Sequence, residues 1–190
     1  MEKELNSFSR GLRDGIPICL GYLSVAFAFG IFTVGHGLTI WEAVMISMTN
    51  VTSAGQLAAV PIIAGGGSLF ELALTQFVIN MRYSLMSVSL SQRLSKSVRL
   101  LDRFLISFVN TDEVFAVAIS KNAPLGRKYL YGLTLTPYLG WSAGTLLGSA
   151  AGNILPATVV SALGIAIYGM FIAIIVPPAK KSLPTLLLSL

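Results

Sequence analysis

The chain alternates between apolar runs and short polar connections. Runs at about 16–34, 43–63, 69–90, 104–119, 129–155 and 158–176 predict six hydrophobic helical segments. Most approach the ~20 residues that a helix needs to cross a hydrocarbon core about 30 Å thick. The pattern therefore predicts an all-α polytopic membrane protein, with residues 1–190 forming a single transmembrane domain. Residues 1–15, polar and basic, read as a cytoplasmic N-terminal segment. Residues 183–190 begin a further apolar run too short to span, so the chain is expected to end within a seventh apolar segment.

Three runs are interrupted by polar residues at their centres. Segment two holds Asn50, Thr52, Ser53, Gly55 and Gln56, and segment three holds Gln76, Asn80 and Arg82. Segment four, only 16 residues long, holds Asn110, Thr111, Asp112 and Glu113. Ionisable groups at membrane depth are costly unless they face a partner or a wet cavity, so they mark a functional site. Helix-weakening polar residues inside a span are tolerated where they are buried or line a cavity. The plainer alternative for segment two is hydrogen bonding between helices. Arg82 either snorkels toward an interface or pairs with Asp112 or Glu113. In segment five Gly140, Gly144, Gly148 and Gly152 recur every four residues, the stripe of a closely packed helix.

Composition agrees with the pattern. The 190 residues are 54% hydrophobic and 11% charged, where soluble domains carry roughly 25% charge. The net charge of +5 does not read as nucleic-acid binding, because the basic residues cluster between apolar runs instead of forming a face. Ala26-Phe27-Ala28 imitates a signal-peptide cleavage site, but the apolar run continues past it and predicts an uncleaved helix. One cysteine, Cys19, and one histidine, His36 between two glycines, leave no basis for a disulfide framework or a zinc site. No cofactor is expected. With adjacent acids and no Ser–His arrangement, neither is an enzyme.

Arg82 apart, every lysine and arginine lies at the N-terminus, in 91–103, in 120–128 or in 178–182. The positive-inside rule assigns all four stretches to the cytoplasmic face. Six plain spans would put 91–103 outside. All four fall inside if segments two and four are broken or re-entrant, dipping in from opposite sides. Such segments meeting near the midplane are a recurring transporter design. Residues 54–60 and 111–117 share only their last two positions, a weak similarity that suggests an inverted repeat.

Gly15-x-Pro17, Gly21 with Phe29-Gly30, Ser53-Ala54-Gly55-Gln56, Asn80-Met81-Arg82, Thr111-Asp112-Glu113-x-Phe115-Ala116 and Tyr168 to Ala173 follow one another in an order that resembles the AzlC family. The resemblance covers nearly the whole chain. It implies a bacterial inner-membrane, multi-pass exporter of branched-chain amino acids working with a small AzlD-type membrane subunit. Many members carry an acidic residue early in segment six, whereas residues 163–167 have none, so ion coupling through that segment lacks support.

A zwitterion with an apolar tail suits the polar inventory. The substrate-binding candidates are Asn50, Ser53, Gly55, Gln56, Asn80, Arg82, Asp112 and Glu113. Backbone N–H groups around Ser53 to Gln56 or Arg82 would take the carboxylate, and Asp112 or Glu113 the ammonium. Phe77 and Phe115 would take the tail. Adjacent helical residues point about 100° apart, so one acid is expected to bind substrate while the other pairs with Arg82. Proton-coupled exchange is compatible with this arrangement. The alternative is a structural or regulatory membrane subunit with no path of its own, which would confine polar residues to segment ends.

Overall fold

The computed structural model describes residues 7–152, 154–156 and 158. The readings for segment six, the 178–182 connection and the seventh run lie outside the described residues. Within them the chain forms α1 (Phe8–Gly35), α2 (Ile40–Thr49), α3 (Ser53–Ala64), α4 (Leu69–Ser91), α5 (Leu100–Phe108), α6 (Asp112–Ile119) and α7 (Arg127–Gly152). Apart from one isolated bridge between Leu94 and Leu125, every regular element described is helical.

At 28 residues, α1 is the one described helix both long and apolar enough to cross a bilayer by length and composition. It starts eight residues before the apolar run, because the Ser7 hydroxyl caps it by accepting from the Arg10 amide at 3.2 Å. Arg10 and Asp14 then pair across one turn at 3.3 Å. From Phe8 onward the expected polar N-terminal segment is therefore helix. The 23 residues of α4 and the 26 of α7 approach it in length.

Segments two and four are not continuous helices. Segment two breaks at residues 50–52, where Asn50 and Thr52 are extended. Segment four breaks at 109–111. Asn and Thr compete for backbone hydrogen bonds and Val loses rotamer freedom in a helix, so these are weak points in an apolar run. The ten residues of α2 cover about 15 Å, half of a ~30 Å hydrocarbon core.

The core is the α1–α7 pair. Gly11 meets Tyr129 and Leu133, Gly144 meets Leu23, and Gly30 meets Thr145 and Ser149. These contacts advance together along both helices, so α1 and α7 run parallel. The segment-five glycine stripe lies in this contact: a Cβ at Gly140 or Gly144 would fall 2.7 or 2.5 Å from a carbonyl oxygen of α1.

Each broken segment folds back on itself. In the first hairpin the Gln56 amide on α3 donates to Ser47 on α2 at 2.6 Å, and Ser47 meets Thr145 of α7 at 2.6 Å. At its open end Val60 and Leu38 pack with Phe29, near the end of α1. The second hairpin opens toward the other end. Beyond α6, Lys121 pairs with Asp14 at 2.7 Å, and near the start of α5 Asp102 accepts from Tyr131 at 2.7 Å. The 92–99 connection joins this end too, through Ser95 N–H to Leu125 at 2.9 Å. Arg10, Arg13 and the basic residues of 91–103 and 120–128 are thus gathered around the starts of α1 and α7.

Candidate functional site

The tips of the two hairpins approach one another and are held by tyrosines from the long helices. The Tyr22 hydroxyl of α1 is hydrogen-bonded to the Thr111 hydroxyl at 2.6 Å, and Tyr83 of α4 donates to the Thr52 hydroxyl at 3.2 Å. Thr52 and Thr111 are the N-caps of α3 and α6. Each hairpin's second helix therefore begins at a threonine bonded by a tyrosine from the other half of the chain. Pairing these caps equates Thr52 with Thr111, two residues out of step with the 54–60 and 111–117 comparison.

Between the tips lies a cavity of about 170 Å³. The first hairpin lines it with Thr49, Asn50 and Thr52, and the second with Phe108, Asn110 and Thr111. Asn80 and Tyr83 of α4 close one side. A chain of amides organises this wall. Gln76 donates to the Gly55 carbonyl at 2.9 Å, and its own oxygen accepts from Asn50 at 2.9 Å and Asn80 at 3.2 Å. Gly55 lets this wall close up: a Cβ there would lie 2.6 Å from the Gln76 oxygen and 2.7 Å from the Thr52 methyl, and would push the amide chain aside.

A second, more apolar chamber of about 370 Å³ lies beside Tyr22, between Pro17, Ile18, Val25 and Trp141 of the long helices. Ser53 and Glu113 open onto it from the two hairpins. Glu113 accepts a hydrogen bond from Tyr22. The same hydroxyl thus touches the lip of the polar cavity through Thr111 and the acid of the second chamber through Glu113.

The candidates divide among these places. Asn50 and Asn80 line the polar cavity, Gly55 backs its amide wall, and Ser53 and Glu113 line the apolar chamber. Gln56 is fully buried against Ser47 and serves the scaffold. Arg82 pairs with Asp112 at 2.9 Å, with 54% and 48% of the two side chains exposed. Arg82 also lies over the Tyr83 ring, 5.0 Å from its centroid. Of the two acids, Asp112 takes Arg82 and Glu113 takes Tyr22, as the 100° turn between neighbours requires. Phe77 is 66% exposed and Phe115 packs on the core, so neither lines the polar cavity.

Sequence reasoning passed over Tyr22, Tyr83 and Trp141. The signal for the tyrosines was a polar atom inside an apolar run: the ring reads as hydrophobic, while a buried hydroxyl calls for a partner; the buried Trp141 indole N–H has none among the described residues. Outside the apolar runs, Asp102 anchors the foot of α5. The Tyr131 hydroxyl and the Arg99 amide both donate to its carboxylate and hold it below the usual carboxylate range.

Comparison with known proteins fits this architecture. The family model described as AzlC protein matches residues 17–155. Over 151 residues the chain is 31% identical to the inner membrane protein YgaZ of Escherichia coli K12, covering 77% of this chain and 62% of that protein. Over 175 residues it is 33% identical to an uncharacterized membrane protein of Archaeoglobus fulgidus, covering 91% of this chain and 76% of that one. A Helicobacter pylori 26695 membrane protein is 24% identical over 156 residues. The chain thus spans less than two thirds of the length of its E. coli relative. No solved structure matches it. A helical chain with a clear apolar span, matched through its site by this family and by relatives that are membrane proteins, belongs to the AzlC family of membrane proteins.

Proposed function

We propose that this protein exports branched-chain amino acids, the valine, leucine and isoleucine class, across the bacterial inner membrane together with a small AzlD-type membrane subunit. The observation that carries the reading is the polar cavity held between two interrupted segments. Irregular backbone at membrane depth is tolerated where it lines a cavity, and transporters use such breaks to recognise small charged substrates.

In this reading α1, α4 and α7 cross the membrane, while the α2–α3 and α5–α6 hairpins re-enter from opposite faces. The basic end is cytoplasmic, in keeping with the positive-inside rule. Each half, one long helix followed by one hairpin, is an inverted copy of the other. The reciprocal bonds from Tyr22 to Thr111 and from Tyr83 to Thr52 support that relation. The carboxylate of the substrate sits at the start of α3, where free backbone N–H groups and the helix dipole favour an anion. The branched tail enters the apolar chamber past Tyr22. Glu113 is the coupling carboxylate: it lines that chamber and shares Tyr22 with the lip of the polar cavity.

The test is efflux of radiolabelled leucine or valine from cells with and without both subunits. Glu113→Gln should abolish export while leaving the protein in the membrane at its normal level. Undiminished efflux from that variant would remove Glu113 from the mechanism. Absence of efflux from the wild-type pair would overturn the reading itself.

A further inference from the structure

We infer that the polar cavity holds the substrate's protonated amine on uncharged oxygens, those of Asn110 and Asn80 foremost, and not on Asp112 or Glu113. The inference deepens the transport reading and rests on it for the identity of the ligand. No Asp, Glu, Lys or Arg lines the cavity among the described residues. The two acids nearest in sequence are already engaged, Asp112 with Arg82 and Glu113 with Tyr22.

What the cavity wall offers is unmet acceptors. Asn110 is only 3% exposed, and its side-chain oxygen has no hydrogen-bond partner; neither has that of Asn80. The orientation of Asn80 follows from its neighbours. The Gly55 carbonyl can only accept, so Gln76 presents its NH₂ there and its oxygen to Asn80. Asn80 must then donate to Gln76, which leaves its own oxygen free. Buried polar groups are nearly always paired, so two orphan acceptors lining one cavity point to a ligand that donates. An ammonium group brings three donors and no acceptor.

The backbone reinforces the choice. α2 and α5 both end at this cavity, with Thr49 and Phe108 in its wall. Helix C-termini carry partial negative charge, although the Ile46, Met48, Ile106 and Ser107 carbonyls at these two ends already accept hydrogen bonds. Two such ends, from opposite hairpins, favour a positive group between them. Transporter breaks use half-helix C-termini for cations in the same way. The charge could arrive as the substrate's amine or as an alkali cation, and the experiment separates the two.

The full chain in nanodiscs is titrated with isobutylamine, which is valine without its carboxylate, with isovalerate, which is valine without its amine, and with sodium. Isobutylamine binding is read from its own heat and from displacement of radiolabelled valine. The expectation is that isobutylamine binds, and that Asn110→Leu weakens it by about tenfold or more, the loss typical of a hydrogen bond to a charged group. Asn80→Leu provides the same reading if Asn110→Leu does not fold. A folded variant of either kind with wild-type amine affinity overturns the inference. So does displacement of valine by sodium or isovalerate with none by isobutylamine. Isobutylamine binding to a protein that moves no valine would sink the transport reading and leave the amine site standing.

Discussion

Gly148→Ala is the sharpest test of the scaffold that carries this site. A Cβ at Gly148 would lie 1.9 Å from the Phe27 carbonyl oxygen, 2.6 Å from its carbon and 2.8 Å from its Cα. Carbon–oxygen contacts between packed helices settle at about 3.3 Å or more. α1 and α7 would therefore have to part locally by about 1.4 Å. Nothing flexible can give, because all three atoms are backbone. The strain would also spread along the stripe, since Gly144 and Gly152 seat on α1 one turn to either side. Overpacking of this kind costs about 1–3 kcal/mol, or more where backbone must move, and alanine returns up to about 1 kcal/mol in helix propensity. The expected net loss is about 2 kcal/mol, roughly a thirtyfold shift in the folding equilibrium. Gly21→Ala is the matched control. A Cβ there meets nothing within 4 Å, so the variant should be neutral to slightly stabilised. Reversible SDS unfolding of the two purified variants in mixed micelles reads the difference. Should Gly148→Ala prove as stable as Gly21→Ala, the parallel α1–α7 packing described above is wrong.

Two further outcomes follow from ion pairing. Asp112 of α6 compensates Arg82 beside an apolar face of α4, where Phe77, Val78, Met81 and Leu85 are exposed. Arg82→Gln or Asp112→Asn alone should lower the amount of folded protein recovered from membranes, and the double variant should recover at least part of it; a double variant as poor as the sum of the two, or worse, would refute the pairing. The Asp102 carboxylate titrates below its usual range because Tyr131 and Arg99 donate to it. Its stabilisation is therefore present above the ordinary carboxylate pKa, about 3.9, and is lost as pH falls through the lower folded value. Thermal melting in detergent should fall less steeply on acidification for Asp102→Asn than for the wild type; parallel curves would show that the carboxylate contributes nothing.

Local chemistry made much of this molecule legible. Apolar runs announced the helices, and the Asn and Thr residues inside two of them marked where the helices stop. The four-residue glycine spacing marked a contact face, because a period near 3.6 gathers such positions on one side. Capping by Ser7 and the pairing of Arg10 with Asp14 were readable in principle, yet the apolar run drew the boundary of α1 too late.

The partners of these features were decided by the tertiary structure alone. Periodicity shows that a face is packed, and says nothing of what packs on it. Only the folded chain sets the segment-five glycines on α1 in parallel, withdraws Gln56 into the scaffold, and brings Tyr22 and Tyr83 across to the opposite hairpin. It also separates neighbouring acids, giving Asp112 to Arg82 and Glu113 to Tyr22. A sequence determines where helices form and break, because those energies are local. The cavity between the breaks depends on which distant surfaces meet, and that is settled by packing over the whole chain.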